Sequence, residues 1–289
     1  MESRLQLHGA GVSFLAEHFT AIMADPQRLD FVEIQTERHF SAGPMAQRQI
    51  LALRQCLPLS VHDTRLSLGG LSAPDDAHVR QLSELCRRFQ PAVVSARLGC
   101  APQVLSPLGS HQALAFNPRT LQRLVEQVDQ VQTALARPLL IENPPAFLPL
   151  ADSQMHEADF LRELSERSGC GLLLDIGNLL ISCHNGGGTP EDYLQRLPAQ
   201  QIGEIRLSGY SPLRLESGRC LLVDEHAGVI ADATWDLYAM LLRDIGQRPA
   251  VVEWSRQLPS WMVLAAEVDC VRALQHVPLM PQYSAVDGA

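Results

Sequence analysis

Short runs of branched and apolar residues take turns with longer amphipathic stretches from one end of this chain to the other, and that alternation limits the fold more than any other feature. The clearest runs are Phe31-Val-Glu-Ile34, Leu59-Ser-Val-His62, Ala92-Val-Val-Ser95, Leu139-Leu-Ile-Glu142, Leu172-Leu-Leu-Asp175, Glu204-Ile-Arg-Leu207 and Val251-Val-Glu253, with a weaker one between Leu5 and Val12. Near-continuous apolar strands belong to parallel sheets that are covered on both faces. Between the runs, residues 118–136 place Leu121, Leu124, Val125, Val128, Val131 and Leu135 on one helical face. Asp75 to Phe89 and His156 to Ser168 read the same way. Thr189-Pro-Glu-Asp192 combines an N-cap, a proline at the first helical position and acids in the first turn. Eight strands, each followed by a helix, predict an α/β chain folded as a single (β/α)8 TIM barrel. The barrel is expected over residues 1–277, with 278–289 a C-terminal tail of little pattern. Residues 100–117 are long and irregular, a segment expected to lie as a lid over one mouth of the barrel.

Composition removes several function classes. The chain has 23 Lys and Arg against 32 Asp and Glu, a formal charge of −9. A nucleic-acid partner needs clustered basic residues, so none is expected. No apolar run approaches the roughly 20 residues needed to span a bilayer. The start, Met-Glu-Ser-Arg-Leu-Gln-Leu-His, has no signal-peptide core, so a cytoplasmic location is expected. Seven cysteines (Cys56, Cys86, Cys100, Cys170, Cys183, Cys220 and Cys270) are widely spaced without a CxxC. That is neither a disulfide framework nor a zinc knuckle, and most read as small buried residues. Cys100 and Cys183 follow strand ends and stand nearer a site. No GxGxxG follows any strand, and Gly186-Gly187-Gly188 lacks the Lys-Ser/Thr of a phosphate loop.

The polar residues of the strands gather at their C-terminal ends: Glu33 (with Glu37 just beyond), His62, Arg97, Glu142, Asp175, Arg206 and Glu253. Asp224 and His226 follow the seventh strand and are expected in a loop. In a barrel these ends form one rim, where active sites lie. Ionisable groups after runs such as Leu-Leu-Ile are costly to bury unpaired. Crowded carboxylates repel unless protons or cations neutralise them, and histidines among them favour a transition metal. Taken singly, Glu142 reads as a salt-bridged barrel residue, Asp175 as a helix cap and His62 as a core histidine. Their joint occurrence on successive strand ends points to a site.

The residues also resemble a family. Leu59-Ser-Val-His62 followed by Leu66-Ser-Leu-Gly-Gly70, then Ile141-Glu-Asn-Pro144, Gly169-Cys-Gly-Leu-Leu-Leu-Asp175-Ile-Gly-Asn178, Asp224-Glu-His226 and Val252-Glu-Trp254 look like the multinuclear non-haem iron-dependent oxidative enzymes of the methanobactin-biosynthesis type. The likeness runs from about Leu7 to Leu274. It implies a barrel holding two or three irons that uses dioxygen to modify a ribosomally made precursor peptide, at cysteine or a C-terminal residue. It also implies a separate small partner protein that grips the peptide leader, so that a heterodimer is the expected assembly. Carried over position by position, the metal ligands are His62, Glu142, Asp175, Asn178, Asp224, His226 and Glu253.

Two positions depart from the pattern. Where the family's fourth strand ends in acid-His, this chain reads Ala96-Arg97, and a histidine of its seventh strand is here Arg206. Arginine offers only donors and cannot ligate a cation, but it forms forked pairs with carboxylates. Three readings stay open. The site keeps fewer irons, around Asp175, Asn178, Asp224 and His226. The arginines replace the metals, leaving a non-catalytic relative that scaffolds a peptide or protein. Or both arginines turn to solvent. In the first reading Arg97 or Arg206 orients a substrate carboxylate, with Glu37 as a further catalytic candidate. A sugar isomerase or an endonuclease-like metal barrel shares the architecture but less of the motif text.

Overall fold

The computed structural model describes residues 7–40, 43–99, 114–146, 150–224, 228–254 and 257–277. Its regular elements are β1 (Ala10–Ser13), α1 (Phe19–Ala24), β2 (Phe31–Gln35), α2 (Pro44–Cys56), β3 (Leu59–Leu68), α3 (Asp76–Phe89), β4 (Val93–Leu98), α4 (Pro118–Leu135), β5 (Leu140–Glu142), α5 (Glu157–Ser168), β6 (Gly171–Asp175), α6 (Ile176–Gly186), α7 (Pro190–Gln195), β7 (Ile202–Ser208), β8 (Tyr210–Arg214), β9 (Cys220–Asp224), α8 (Asp232–Ile245), β10 (Ala250–Glu253) and α9 (Trp261–Gln275). Strands β1 to β7 and β10 pair in parallel and close on themselves, β10 returning to β1 with Ala250 beside Ala10. The expected eight-stranded barrel is therefore the observed fold.

Each strand sends alternate residues to opposite faces. The outward set packs against the helices as the main apolar core, which takes in Val12, Ile34, Val61, Ala96, Ile141, Leu174, Ile205 and Val252. The inward set begins with a small separate cluster of Leu7, Phe31 and Val251, against which Ala92 and Val93 pack. This is the barrel floor. Gly11 is part of it: a β-carbon there would come within 2.7 Å of the Phe31 ring. Above the floor the inward positions turn polar, and that change builds the site.

The helices start where the sequence places caps. Asp75, Asn117, His156 and Thr189 each accept a hydrogen bond from a first-turn N–H of the helix that follows. Such caps satisfy donors that the helix itself cannot. Three differences from expectation have local causes. β1 begins at Ala10 rather than Leu5; residues 5 and 6 lie outside the described part. β3 continues past His62 to Leu68 through an irregularity, because the Asp63 carboxylate takes up the N–H groups of Arg65 and Leu66. Asp224 ends a strand rather than sitting in a loop. β8 and β9 form an antiparallel hairpin outside the barrel, and the Asn185 side chain pairs with both the N–H and the C=O of Leu222 to hold it on α6. Residues 100–113 of the expected lid, the tail 278–289, Cys100 and His226 fall outside the described residues. No helix among the described residues is long and apolar enough to cross a membrane.

Candidate functional site

The polar layers of the barrel interior follow from the two-residue period of its strands. Glu33 and Gln35 on β2, Ser60 and His62 on β3, Ser95 and Arg97 on β4, Glu142 on β5, Asp175 on β6, Glu204, Arg206 and Ser208 on β7, and Glu253 on β10 are all buried. At the centre lies Arg206, whose side chain is 0% exposed. Its Nη2 donates to Glu33 Oε2 at 2.5 Å, its Nη1 donates to Glu253 Oε2, and its Nε lies 3.4 Å from Glu142 Oε1. One guanidinium thus gathers carboxylates from three strands. Gln35 Nε2 donates to the other oxygen of Glu253 at 2.6 Å.

Glu142 is the second hub. Its Oε2 accepts from Arg97 Nε at 2.7 Å and lies 3.4 Å from His62 Nε2. The other ring nitrogen of His62 is 2.8 Å from Ser95 Oγ. Burial works against an ionised Glu142, but Arg97, Arg206 and His62 outweigh it and hold the carboxyl well below its ordinary range. The reverse holds for Glu33. Burial, with Glu253, Glu204 and Glu142 nearby, overcomes the pull of Arg206 and lifts it to about 8. Glu204, one layer down and bonded by Ser60 Oγ at 3.3 Å, is raised by burial to about 7. Burial, and then the charge of Arg206, lowers His62 below the usual imidazole value. Burial opposes the charge of Arg206, yet Glu253, Glu33, Glu142 and Asp175 together raise it well above normal. At neutral pH the axis therefore holds fixed guanidinium cations, an ionised Glu142, a protonated Glu33 and a neutral His62.

Beside this axis is a second corner. Asp175 ends β6 and caps α6, its Oδ1 accepting from Asn178 N at 2.9 Å. Ser208 Oγ donates to its Oδ2 at 3.4 Å. Asn143 clasps the Asp175 backbone on both sides, accepting from its N–H at 2.7 Å and donating to its C=O at 3.0 Å. Asn178 Nδ2 donates to the Asn143 carbonyl at 3.0 Å, which leaves Asn178 Oδ1 buried without a hydrogen-bond partner. Gly177 makes the corner possible, since a β-carbon there would lie 2.9 Å from Ser208 Oγ and 3.1 Å from Asp175 Oδ1.

Glu37 stands apart from the axis. It lies half-buried in the turn after β2 and accepts from Thr64 Oγ1 at 2.7 Å. A neighbouring cluster had no place in the sequence reading: buried Asp63 accepts from Thr36 Oγ1 at 2.7 Å, and His78 Nε2 on α3 lies 2.8 Å from the same oxygen. Glu204, Ser60, Ser95 and Gln35 were also missed. Each lies two residues from a strand-end position that was noticed, so the alternation of strand faces was the signal available.

The expected iron centre can be tested against these partners. Glu142, Glu253 and Glu33 each give an oxygen to a guanidinium, and Arg206 fills the space between them. Among the described residues no group of three or more His, Cys, Asp or Glu could hold a metal ion. The residues on the axis do not fit a multinuclear iron centre. The solvent-facing reading of the arginines does not hold for Arg206, which is fully enclosed, or for Arg97, 8% exposed and bound to Glu142.

Comparison with known proteins gives concordant results. The family model for RiPP precursor modification enzymes MbnB/TglH/ChrH matches residues 9–276. A UPF0276 protein of Caulobacter vibrioides is 40% identical over 264 residues, covering 89% of this chain and 91% of the relative. A UPF0276 protein of Paraburkholderia phytofirmans is 37% identical over 257 residues, covering 89% and 84%. Among solved structures, a xylose isomerase-like TIM barrel protein from Mycobacterium smegmatis in complex with magnesium aligns with a TM-score of 0.59 at 13% identity, covering 95% of this chain and all of its own. Endonuclease IV from Thermus thermophilus aligns with a TM-score of 0.55 at 14% identity, covering 92% and 98%. At those identities the two structures share the fold alone.

Proposed function

Because the chain belongs to the family of RiPP precursor modification enzymes MbnB/TglH/ChrH, we propose that it takes a ribosomally made precursor peptide into the C-terminal mouth of the barrel and acts on it there. The observation that carries this reading is the run of polar side chains that replaces an apolar barrel core from Glu33 and Glu204 upward to the rim. Barrels of this type place their chemistry at that end. Arg97 is the guanidinium nearest the surface, and a peptide carboxylate entering the mouth reaches it before any other axial cation. Arg206 is enclosed by three carboxylates and positions them rather than the peptide. Cysteine or the C-terminal residue is the expected place of modification. A small leader-binding protein is the expected partner in a heterodimer, working in the cytoplasm where such precursors are made. No step is assigned to iron or dioxygen, because the axial residues do not fit the metal.

A second reading, a scaffold that binds the peptide without changing it, is favoured by the enclosure of Arg206 among three carboxylates. One experiment serves both. The chain is co-expressed with a precursor peptide of the family and a small leader-binding protein, the complex is isolated by size exclusion, and the peptide is weighed by mass spectrometry. A changed mass supports modification, and binding with unchanged mass supports the scaffold. Absence of both binding and mass change would overturn the assignment to a peptide.

A further inference from the structure

We propose that the guanidinium groups of Arg206 and Arg97 do the work of metal cations among Glu33, His62, Glu142 and Glu253, so that the axial cluster of this barrel is complete without a metal. The inference concerns the same site as the peptide reading but does not depend on which peptide, if any, is bound.

Carboxylates brought together in a dry interior need positive charge between them. Here that charge is covalently part of the chain. Arg206 reaches Glu33 at 2.5 Å and also Glu253, and its Nε lies 3.4 Å from Glu142; Arg97 holds Glu142 at 2.7 Å from the other side. Neutral donors take up part of the remaining capacity, while Glu33 Oε1, Glu142 Oε1 and His62 Nε2 stay buried without a hydrogen bond. Gln35 serves the second oxygen of Glu253 at 2.6 Å, and Ser95 lies 2.8 Å from one nitrogen of His62. A guanidinium presents five N–H donors in a plane and no lone pair. An oxygen that accepts from it gives that lone pair to nitrogen rather than to a metal. The second nitrogen of His62 faces Glu142 Oε2 at 3.4 Å, an oxygen already bonded to Arg97. Arginine also suits the place in a way lysine would not, because its fork meets carboxylates from different strands at once.

The test needs no substrate. The full-length chain is purified anaerobically with iron supplied, its metal is counted by elemental analysis, and its melting temperature is measured with and without EDTA. The expected result is less than about a tenth of a metal per chain and a melting temperature that EDTA leaves unchanged. Stoichiometric metal that the Glu142→Gln variant loses, or a melting temperature that EDTA lowers in the wild type but not in that variant, overturns the inference. The second arm is the Arg97→His/Arg206→His variant. If folded by circular dichroism, it is expected to gain at least tenfold in bound metal. A folded variant that binds no more than the wild type also overturns the role given to the arginines. Should that variant fail to fold, the wild-type and Glu142→Gln measurements decide alone. Failure of the peptide reading would appear in peptide binding, and failure of this one in metal content.

Discussion

Replacing Arg206 with methionine keeps most of the side-chain length and removes only the guanidinium. Three carboxylates then lose a shared partner, but not equally. Glu142 keeps its bond to Arg97, and Glu33 is already held near a pKa of about 8, so it meets the change by keeping its proton. Glu253 suffers most, because its Oε2 loses Arg206 while its Oε1 keeps Gln35. Breaking one partner out of a buried ion pair costs about 3–5 kcal/mol. For Arg206→Met that is the expected loss at pH 7, since Glu253 loses its guanidinium hydrogen bond while the other two carboxylates are provided for. In a domain of this size it lowers the melting temperature by on the order of 10 °C. The loss should shrink as the pH falls, because protonation of the axial carboxylates removes the negative charge that Arg206 balances. Thermal denaturation followed by circular dichroism at pH 7 and pH 5, for wild type and variant side by side, reads both numbers. A loss below about 1 kcal/mol at pH 7, or a loss that grows as the pH falls, would refute the idea that Arg206 neutralises the axis.

Three further outcomes are expected. Burial raises Glu157 to about 7, against the hydrogen bonds of Tyr193 and Ser182; its folded-state carboxyl therefore binds a proton more tightly than in the unfolded chain. Its contribution to stability is whole below pH 4.5 and is lost as pH rises through about 7, at up to about 1.4 kcal/mol per pH unit, so Glu157→Gln should flatten that part of the stability–pH curve and raise stability above pH 7. The Gln127 amide accepts from Gly69 N and donates to the carbonyls of Gly70 and Ser72; Gln127→Ala should cost about 1–3 kcal/mol and speed hydrogen exchange at residues 69–72 while leaving β7 and β10 protected. Gly11→Ala pushes a methyl into the Phe31 ring at the barrel floor and should cost about 1–3 kcal/mol in urea unfolding, without altering the pH dependence of the axis.

How far the sequence could be read depended on the reach of each feature. Strands buried on both faces announce themselves by composition, so β2 to β7 and β10 were legible as apolar runs. β1 was blurred because its four residues, Ala-Gly-Val-Ser, have too little bulk to mark an end. The hairpin of β8 and β9 was read as a loop. Its Cys-Leu-Leu-Val-Asp run is apolar, but it pairs with a strand carrying Pro212 and is anchored by Asn185, and neither relation is periodic. At the site, residue types were legible and partners were not. Arg206 meets Glu33 across 173 positions of sequence, a contact that exists only once the barrel is closed, and Glu253 across 47, on the neighbouring strand β10. The lower polar layer, Ser60 and Glu204, was within reach of the two-residue period but lay beneath the strand ends to which attention went.

The two halves of the site differ in what they leave for a ligand. On the axis, the cation is tethered to β7, sealed from solvent and surrounded by its carboxylates. A bound metal can keep a coordination position open for a substrate atom, whereas a guanidinium ringed by acceptors offers no such position. The axis of this barrel is therefore built as a fixed support, and its charge orients what lies above it. The Asp175–Asn178 corner is built differently. Its backbone is clasped by Asn143, its glycine admits Ser208 at close range, and it ends on the unpartnered Asn178 Oδ1. A buried acceptor without a donor costs free energy until a ligand supplies one. On the axis His62 Nε2 and Glu142 Oε1 also lack a hydrogen bond, but each has a charged neighbour at 3.4 Å, so Asn178 Oδ1 is the acceptor we propose for an incoming peptide group. The division predicts different behaviour under substitution: changes to Arg206 and Glu253 should act mainly on stability, and Asn178→Ala, with its small change in packing, mainly on the affinity for the peptide. Equal effects of Arg206→Met and Asn178→Ala on melting temperature and on peptide affinity would remove the distinction between support and receptor.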